Sequence, residues 1–435
     1  MKRHFFLYSV LLILFSGCRG TTSNVPPTAT AVPPTVIPAT PTAIPATNTA
    51  VPNTPTSPPP TETAPAPVTA TAIATDEPVP TVTTAPTDTP IPPTATATAT
   101  MMPEAIIDVP GASVPEGFSF VKYADIFRPT ALAFDANGRL YATSVDGTIH
   151  VFSDTDQNGR ADEDVTFSSG FNTPLGITVH EPTGDVYVSS NTKISVLRDV
   201  DGDLVADEVA NFVNDLPVGL HQNDNLKFGP DGLLYIGVGS TCDVCYEDDP
   251  RSATIMRFDI NTQQGEVFAT GLRNPYDLAF HPLTGALFAT DNGRDDLGLE
   301  VPREELNHIV QGSNYGWPDC WDDGQGSGCT GTETAVSFFE SHASANSIDF
   351  YTGNRFPANY RYSAYVAVFG SWLKDDVKTG VVRVILTPNG DSYTSQQVWF
   401  ATWPGAMPLG LIEGPDGALY VGDFINGGIY RISYG

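Results

Sequence analysis

The chain has 435 residues, with 21 Lys and Arg against 50 Asp and Glu and a formal net charge of -29. A field of that sign repels nucleic acid and anionic membrane surfaces, so polyanionic partners are excluded. Removing residues 1–103, which hold three basic and four acidic side chains, leaves 332 residues carrying -28, a length that repeat architectures and β-barrels reach as one unit.

Residues 1–18 read as a lipoprotein-type signal peptide. Lys2, Arg3 and His4 make a basic start, and Phe5 to Phe15 is an apolar run too short to span a bilayer comfortably. Ser16, Gly17 and Cys18 close it. A Cys behind small residues resembles the bacterial lipoprotein box, which makes Cys18 the lipidation site of an exported protein anchored at the outer face of the bacterial cell membrane.

Residues 19–103 form a stalk. Between 21 and 100, 45 of 80 positions are Pro or Thr and none is aromatic, so this stretch cannot bury a core. In extended polyproline geometry, at roughly 3.1 Å per residue, it reaches about 250 Å at most. Four further cysteines follow, Cys242, Cys245, Cys320 and Cys329, and in an exported chain disulfides are the default. Cys320 and Cys329 bound a Gly-rich loop suited to a local clip. Cys242 and Cys245 also admit a zinc or redox reading, although no second pair or His follows at ligand spacing.

Residues 104–435 carry a repeat: an apolar strand, a turn ending in Gly, then Leu or Val followed by an aromatic. Its glycines are Gly138, Gly184, Gly232, Gly285 and Gly417, spaced by 46, 48, 53 and 132 residues. The last gap has room for one diverged unit, containing Tyr365–Phe369 and Val381–Ile385, so six units fit. Each continues with two more alternating strands and no helical period, which predicts an all-β, six-bladed β-propeller of four-stranded antiparallel blades. A strand at Phe118–Tyr123 and a last unit lacking its fourth strand predict that the two ends pair in one blade.

Two acidic turns fall early in the repeat. Asp154, Asp156, Asn158 and Asp162, and likewise Asp199, Asp201, Asp203 and Asp207, stand at positions 1, 3, 5 and 9, the opening spacing of a calcium loop without its closing Glu. Both occupy third-to-fourth-strand turns, so a bound calcium there would be structural.

Residues leading into each innermost strand all lie on the opposite face, around the channel. This selects Arg128, Asn172, His221, Arg273, Asn274 and Met407, and the second-to-third-strand loops add Ser240, Asp291–Asp296 and Asp423. A His, two Arg, Asn residues and carboxylates therefore converge on one pocket.

At these residues the chain resembles a known family. His221, Asn225–Ser240, Cys242–Cys245, Gly271–Phe280, Asp291–Asp296, Glu305–Asn307 and Asn314–Pro318 are similar to the glucose/sorbosone dehydrogenases, six-bladed propellers that oxidise sugars with pyrroloquinoline quinone (PQQ) and calcium. The likeness is dense over 221–318, thinner over 345–433 and only propeller-like before 200. It implies His221 as the general base that takes the proton of an aldose C1 hydroxyl while hydride passes to the quinone. It implies Arg273 and Asn274 on the quinone oxygens, Lys374 on a cofactor carboxylate, and the carbonyls of Gly293 and Arg294 on a calcium ion at the cofactor. Glu305 and Tyr315 match a region that holds further calcium in relatives. The chain departs from the family at Ser240, where glucose-type members carry Asp, and at Met407, where relatives place Arg against the cofactor.

The reading is therefore a surface-tethered PQQ- and calcium-dependent sugar dehydrogenase with a sugar substrate and an unassigned electron acceptor. A propeller that binds glycan or protein without catalysis is the alternative. A calcium-dependent lactonase is a third, and would need a metal ringed by side-chain carboxylates on the channel axis.

Overall fold

A computed structural model describes residues 105–435; Cys18, the signal and the Pro/Thr stalk lie outside the described residues. The first strand, β1 (Phe118–Ala124), waits for a partner from the far end of the chain. Blade 1 is β2 (Pro129–Phe134), β3 (Leu140–Ser144), β4 (Ile149–Ser153) and β5 (Glu163–Ser168). Blade 2 is β6 (Gly176–His180), β7 (Asp185–Ser190), β8 (Lys193–Arg198) and β9 (Glu208–Val213). Blade 3 is β10 (Asn223–Phe228), β11 (Leu234–Val238), β12 (Thr254–Phe258) and β13 (Gly265–Thr270).

Blade 4 begins with β14 (Pro275–Phe280), β15 (Leu287–Asp291) and β16 (Arg303–Ile309). A long connection carrying the small ribbon β17 (Cys320–Trp321) and β18 (Gln325–Gly326) leads to its outer strand, β19 (Ser337–Ser341). Blade 5, the diverged unit, is β20 (Ala345–Phe350), β21 (Ala364–Val368), β22 (Gly380–Asn389) and β23 (Ser392–Ala401). Blade 6 is β24 (Pro408–Glu413), β25 (Leu419–Asp423) and β26 (Gly428–Tyr434), completed by β1, with Phe120 opposite Ile432. All six sheets are antiparallel, and the ends close the ring as the repeat predicts.

The repeat glycines have a backbone reason. Gly138, Gly184, Gly232, Gly285 and Gly417 all sit at φ between 70° and 80°, the left-handed region where a Cβ costs roughly 1–2 kcal/mol. Second strands such as Leu140–Ser144 are buried at every position because a neighbouring blade covers each face, whereas outer strands such as Glu208–Val213 are mostly exposed. The core accordingly sits between blades. Ala131, Tyr141 and Phe167 of blade 1 meet Ile177, Val188 and Leu197 of blade 2, for example.

Inner strands are also stitched to one another. Ile177 N–H donates to Asn225 Oδ1 at 3.2 Å, Asn225 Nδ2 to Asp277 Oδ1 at 2.8 Å, and Leu411 N–H to Ser347 Oγ at 3.1 Å, while the Ser347 hydroxyl donates to Asp277 Oδ2. This belt links blades 2 through 6 around the channel and fixes where the pocket residues above it stand.

Candidate functional site

His221 precedes β10 and is held from two sides. Its main-chain N–H donates to Ser240 O at 3.1 Å, and its Nδ1 lies 2.9 Å from Ser240 Oγ. The Ser240 hydroxyl proton is committed to Cys242 O at 2.7 Å, so Oγ accepts from His221, the ring carries its proton on Nδ1, and Nε2 keeps its lone pair. Burial, with the Arg273 guanidinium nearby, pushes the imidazole down to about 3. His221 is therefore neutral at physiological pH, the state a proton acceptor needs.

Arg273 is buried, at 3% exposure, and tightly paired. Its Nη2 meets Asp243 Oδ1 at 2.8 Å and Asp295 Oδ2 at 3.1 Å, Nε donates to Asp243 Oδ1 at 3.1 Å, and Nη1 to Asn292 O at 3.1 Å. The family resemblance puts its charge on a cofactor oxygen; in the structure the guanidinium is also paired with two carboxylates. Asn274 is different, because its Oδ1 is buried without a partner beside Gly239 and His221. Lys374 is likewise taken, 3.1 Å from Glu340 and 3.3 Å from Glu300. Met407 packs among Leu175, Tyr276, Phe369, Leu409 and Phe424 at the channel mouth, and Asp423 accepts from Trp403 Nε1 at 2.6 Å.

Beside Arg273 lies a small chamber of about 20 Å³, room for one water or ion, lined by the carboxyl groups of Asp291 and Glu305, by Gly293 and Tyr315, and by Arg273, Arg294 and Arg303. Burial pushes Asp291 up to about 7 and both Glu304 and Glu305 up to about 8. Glu304 accepts from Gly293 N–H at 2.7 Å and Ser344 N–H at 3.2 Å, whereas Glu305 has, among the described residues, only Asn307 Nδ2 at 3.1 Å. The Tyr315 phenol donates to His308 O at 2.5 Å and accepts from Val310 N–H at 2.9 Å, which leaves its main-chain carbonyl as the oxygen it can offer.

Gly293 passes so close to Pro302 that a Cβ would lie 2.6 Å from Pro302 Cγ. Among the described residues no donor is bonded to the carbonyls of Gly293 or Arg294. Orphaned carbonyls beside raised carboxyl groups fit a hard divalent cation.

Two disulfides form, Cys242–Cys245 and Cys320–Cys329. The acidic turns lie between β4 and β5 and between β8 and β9, on the face opposite His221, as read from the sequence. Carboxylate oxygens of Asp154, Asp156 and Asp162 come within 4.8 Å of one another, as do those of Asp199, Asp201 and Asp207. Asn158 bonds back to Asp156 at 2.9 Å, and Asp203 accepts from Val205 N–H at 2.9 Å outside the second group.

Two residues gain weight from their packing. Arg128 lies over the rings of Phe424 and Phe127, at 5.3 and 5.4 Å, and has no carboxylate partner among the described residues. Phe424, which it covers, donates its N–H to the Met407 carbonyl at 3.0 Å. Asp224, 1% exposed, has an unpartnered Oδ2, and desolvation holds its carboxyl far above the usual range. Both stand in the right loop or strand by spacing, but only packing reveals which charges are left unpaired.

Fold and site together define a six-bladed propeller with a neutral His, a paired Arg and a small chamber of mixed carboxyl and guanidinium lining on one face of the ring. The chain belongs to the family described as "Domain of unknown function (DUF7133)", whose model matches residues 111–431. Among curated relatives, an uncharacterized protein of Borreliella burgdorferi is 24% identical over 359 residues, 74% of this chain and 90% of that protein. The aldose sugar dehydrogenase YliI of Escherichia coli is 26% identical over 237 residues, 47% of this chain and 58% of that protein. Two solved structures share the fold. The calcium structure of Trichoderma reesei carbohydrate-active enzymes family AA12 has a TM-score of 0.66 at 20% identity, over 76% of this chain and 98% of that one. The holo form of the pyranose dehydrogenase PQQ domain from Coprinopsis cinerea has 0.65 at 17%, over 75% and 98%. The resemblance read from the motifs thus holds, and at these identities the structural likeness is one of fold.

Proposed function

We propose that the chain is a PQQ- and calcium-dependent sugar dehydrogenase, exported and lipid-anchored through Cys18, with the propeller carried on the Pro/Thr stalk. The observation that carries this reading is the hydrogen-bond geometry of His221. Its Nδ1–H is fixed on Ser240, its Nε2 lone pair is open, and the depressed basicity keeps it neutral. The sugar-dehydrogenase relative and the PQQ-domain fold support the choice of substrate and cofactor class.

PQQ, when bound, supplies the hydride acceptor. Asn274, whose buried Oδ1 beside Gly239 has no partner among the described residues, would help hold it, and the carbonyls of Gly293 and Arg294 would take a calcium ion. A second cation would suit Glu305, Asp291 and the Tyr315 carbonyl. His221 Nε2 accepts the proton of the C1 hydroxyl, so that an aldose leaves as its lactone. Arg273 acts on the site as a fixed, largely neutralised dipole, with one Nη1 donor still free. The two acidic turns on the opposite face are assigned structural calcium.

Apoprotein incubated with PQQ and calcium should reduce a redox dye when an aldose is added, and chelation should abolish the signal. Dye reduction that is absent over a panel of aldoses, in a folded propeller, would return the site to the non-catalytic binding reading.

A further inference from the structure

We propose that the loop closed by the Cys242–Cys245 disulfide positions both working side chains of the pocket, with Asp243 as the positioning residue for Arg273. What the two side chains do rests on the dehydrogenase reading; how they are held rests on geometry alone.

His221 comes from blade 3 and Arg273 from the start of blade 4, so no strand ladder sets their separation. Ser240 spans the gap: its N–H donates to Arg273 O at 2.8 Å and its carbonyl accepts from His221 N–H at 3.1 Å. The chain then turns back on itself. Cys242 O takes the Ser240 hydroxyl at 2.7 Å, which fixes the His221 tautomer. Asp243 Oδ1 takes Arg273 Nη2 at 2.8 Å, Arg273 Nε at 3.1 Å and Asp295 N–H at 2.9 Å, and Asp243 O accepts Trp317 Nε1 at 3.2 Å.

Glu247 ties off the far end, accepting from Thr241 N–H at 2.7 Å and from the Thr241 hydroxyl at 2.6 Å. The disulfide joins residues only three apart, so it closes little chain and adds little to global stability. What it does constrain is where Cys242 O and Asp243 point, and those two groups reach the base and the arginine.

The test reads the held side chains directly by NMR, without cofactor or sugar. In the wild-type protein the Arg273 Nε–H should exchange slowly with solvent, and His221 should stay neutral down to about pH 5. Asp243→Ala should speed that exchange by about tenfold or more, the factor one charge-assisted hydrogen bond carries, while Asp243→Asn, which keeps an acceptor oxygen, should restore most of the protection. Cys242→Ser combined with Cys245→Ser should leave Tm near wild type yet raise the titration midpoint of His221, as water reaches the ring. Unchanged Arg273 exchange in Asp243→Ala and an unchanged His221 midpoint in the double Cys variant, both folded, would overturn the proposal. If the double Cys variant does not fold, the Asp243 pair decides alone. Failure of the dye-reduction assay would leave these readouts intact, so the two ideas fall separately.

Discussion

The side-chain amide of Asn225 donates to Asp277 Oδ1 at 2.8 Å, joining the innermost strands of blades 3 and 4 beneath the pocket. Asp277 is fully buried and also accepts from the main-chain N–H groups of Leu278 at 2.7 Å and Ile348 at 3.0 Å. Asp277→Ala would strand these donors away from water. We expect a loss of about 3 kcal/mol or more in denaturant unfolding, since each unsatisfied buried group costs roughly 1–3 kcal/mol. A loss below about 0.5 kcal/mol, the size of an ordinary surface substitution, would mean that the belt does not hold the ring.

His221→Ala should keep PQQ affinity and lose roughly 10²–10⁴ in turnover, the usual worth of a positioned base. Single-turnover kinetics with cofactor saturating separates the two. Wild-type turnover in this variant would remove His221 from the mechanism.

Stability should depend on pH through the buried carboxyl groups in and around the chamber. Asp291, Glu304 and Glu305 are raised to about 7, 8 and 8 from 3.8 and 4.5. Between those limits the folded state binds protons that the unfolded chain has released, so their contribution is full below the unfolded values and is lost as pH rises through the folded ones. In chelator, Tm should therefore decline from about pH 5 to about pH 8. Calcium should flatten that slope by taking the place of the protons. Equal slopes with and without calcium would show that the chamber takes no ion.

Replacing Asp156 and Asp201 together by Asn should lower Tm in calcium and change nothing in chelator, because a ligand stabilises only the state that binds it. An equal drop in both conditions would make the turns ordinary acidic loops.

Met407 and Arg128 divide one question. A cofactor carboxylate at the mouth of the channel would find no cation at 407, and Arg128, without a carboxylate partner among the described residues, lies over Phe424, whose N–H bonds the Met407 carbonyl. Arg128→Ala should weaken PQQ binding by about one to two decades, and Met407→Arg in that background should recover part of it. Titration followed by cofactor absorbance measures both. Identical affinities across wild type and the two variants would place the anionic groups elsewhere.

The amino-acid sequence by itself determined the ring. Strand period, turn glycines at fixed offsets and an unpaired strand at each end are local signals, and each repeat states them anew, so six blades and their closure by β1 and β26 were legible. The same regularity placed His221, Asn274 and the Asp loops on their correct faces. Tertiary structure decided which charges remain free. The family resemblance implies Arg273 and Lys374 as cofactor cations, and only the structure shows Asp243, Asp295, Glu300 and Glu340 pairing with them from other loops or blades. Arg128, placed on the pocket rim by the repeat, has no carboxylate partner among the described residues. Asp291, Glu304 and Glu305 acquire their raised pKa values only when neighbouring elements shut water out. Pairing and desolvation depend on distances between groups remote in sequence, and the strand pattern carries no record of those distances.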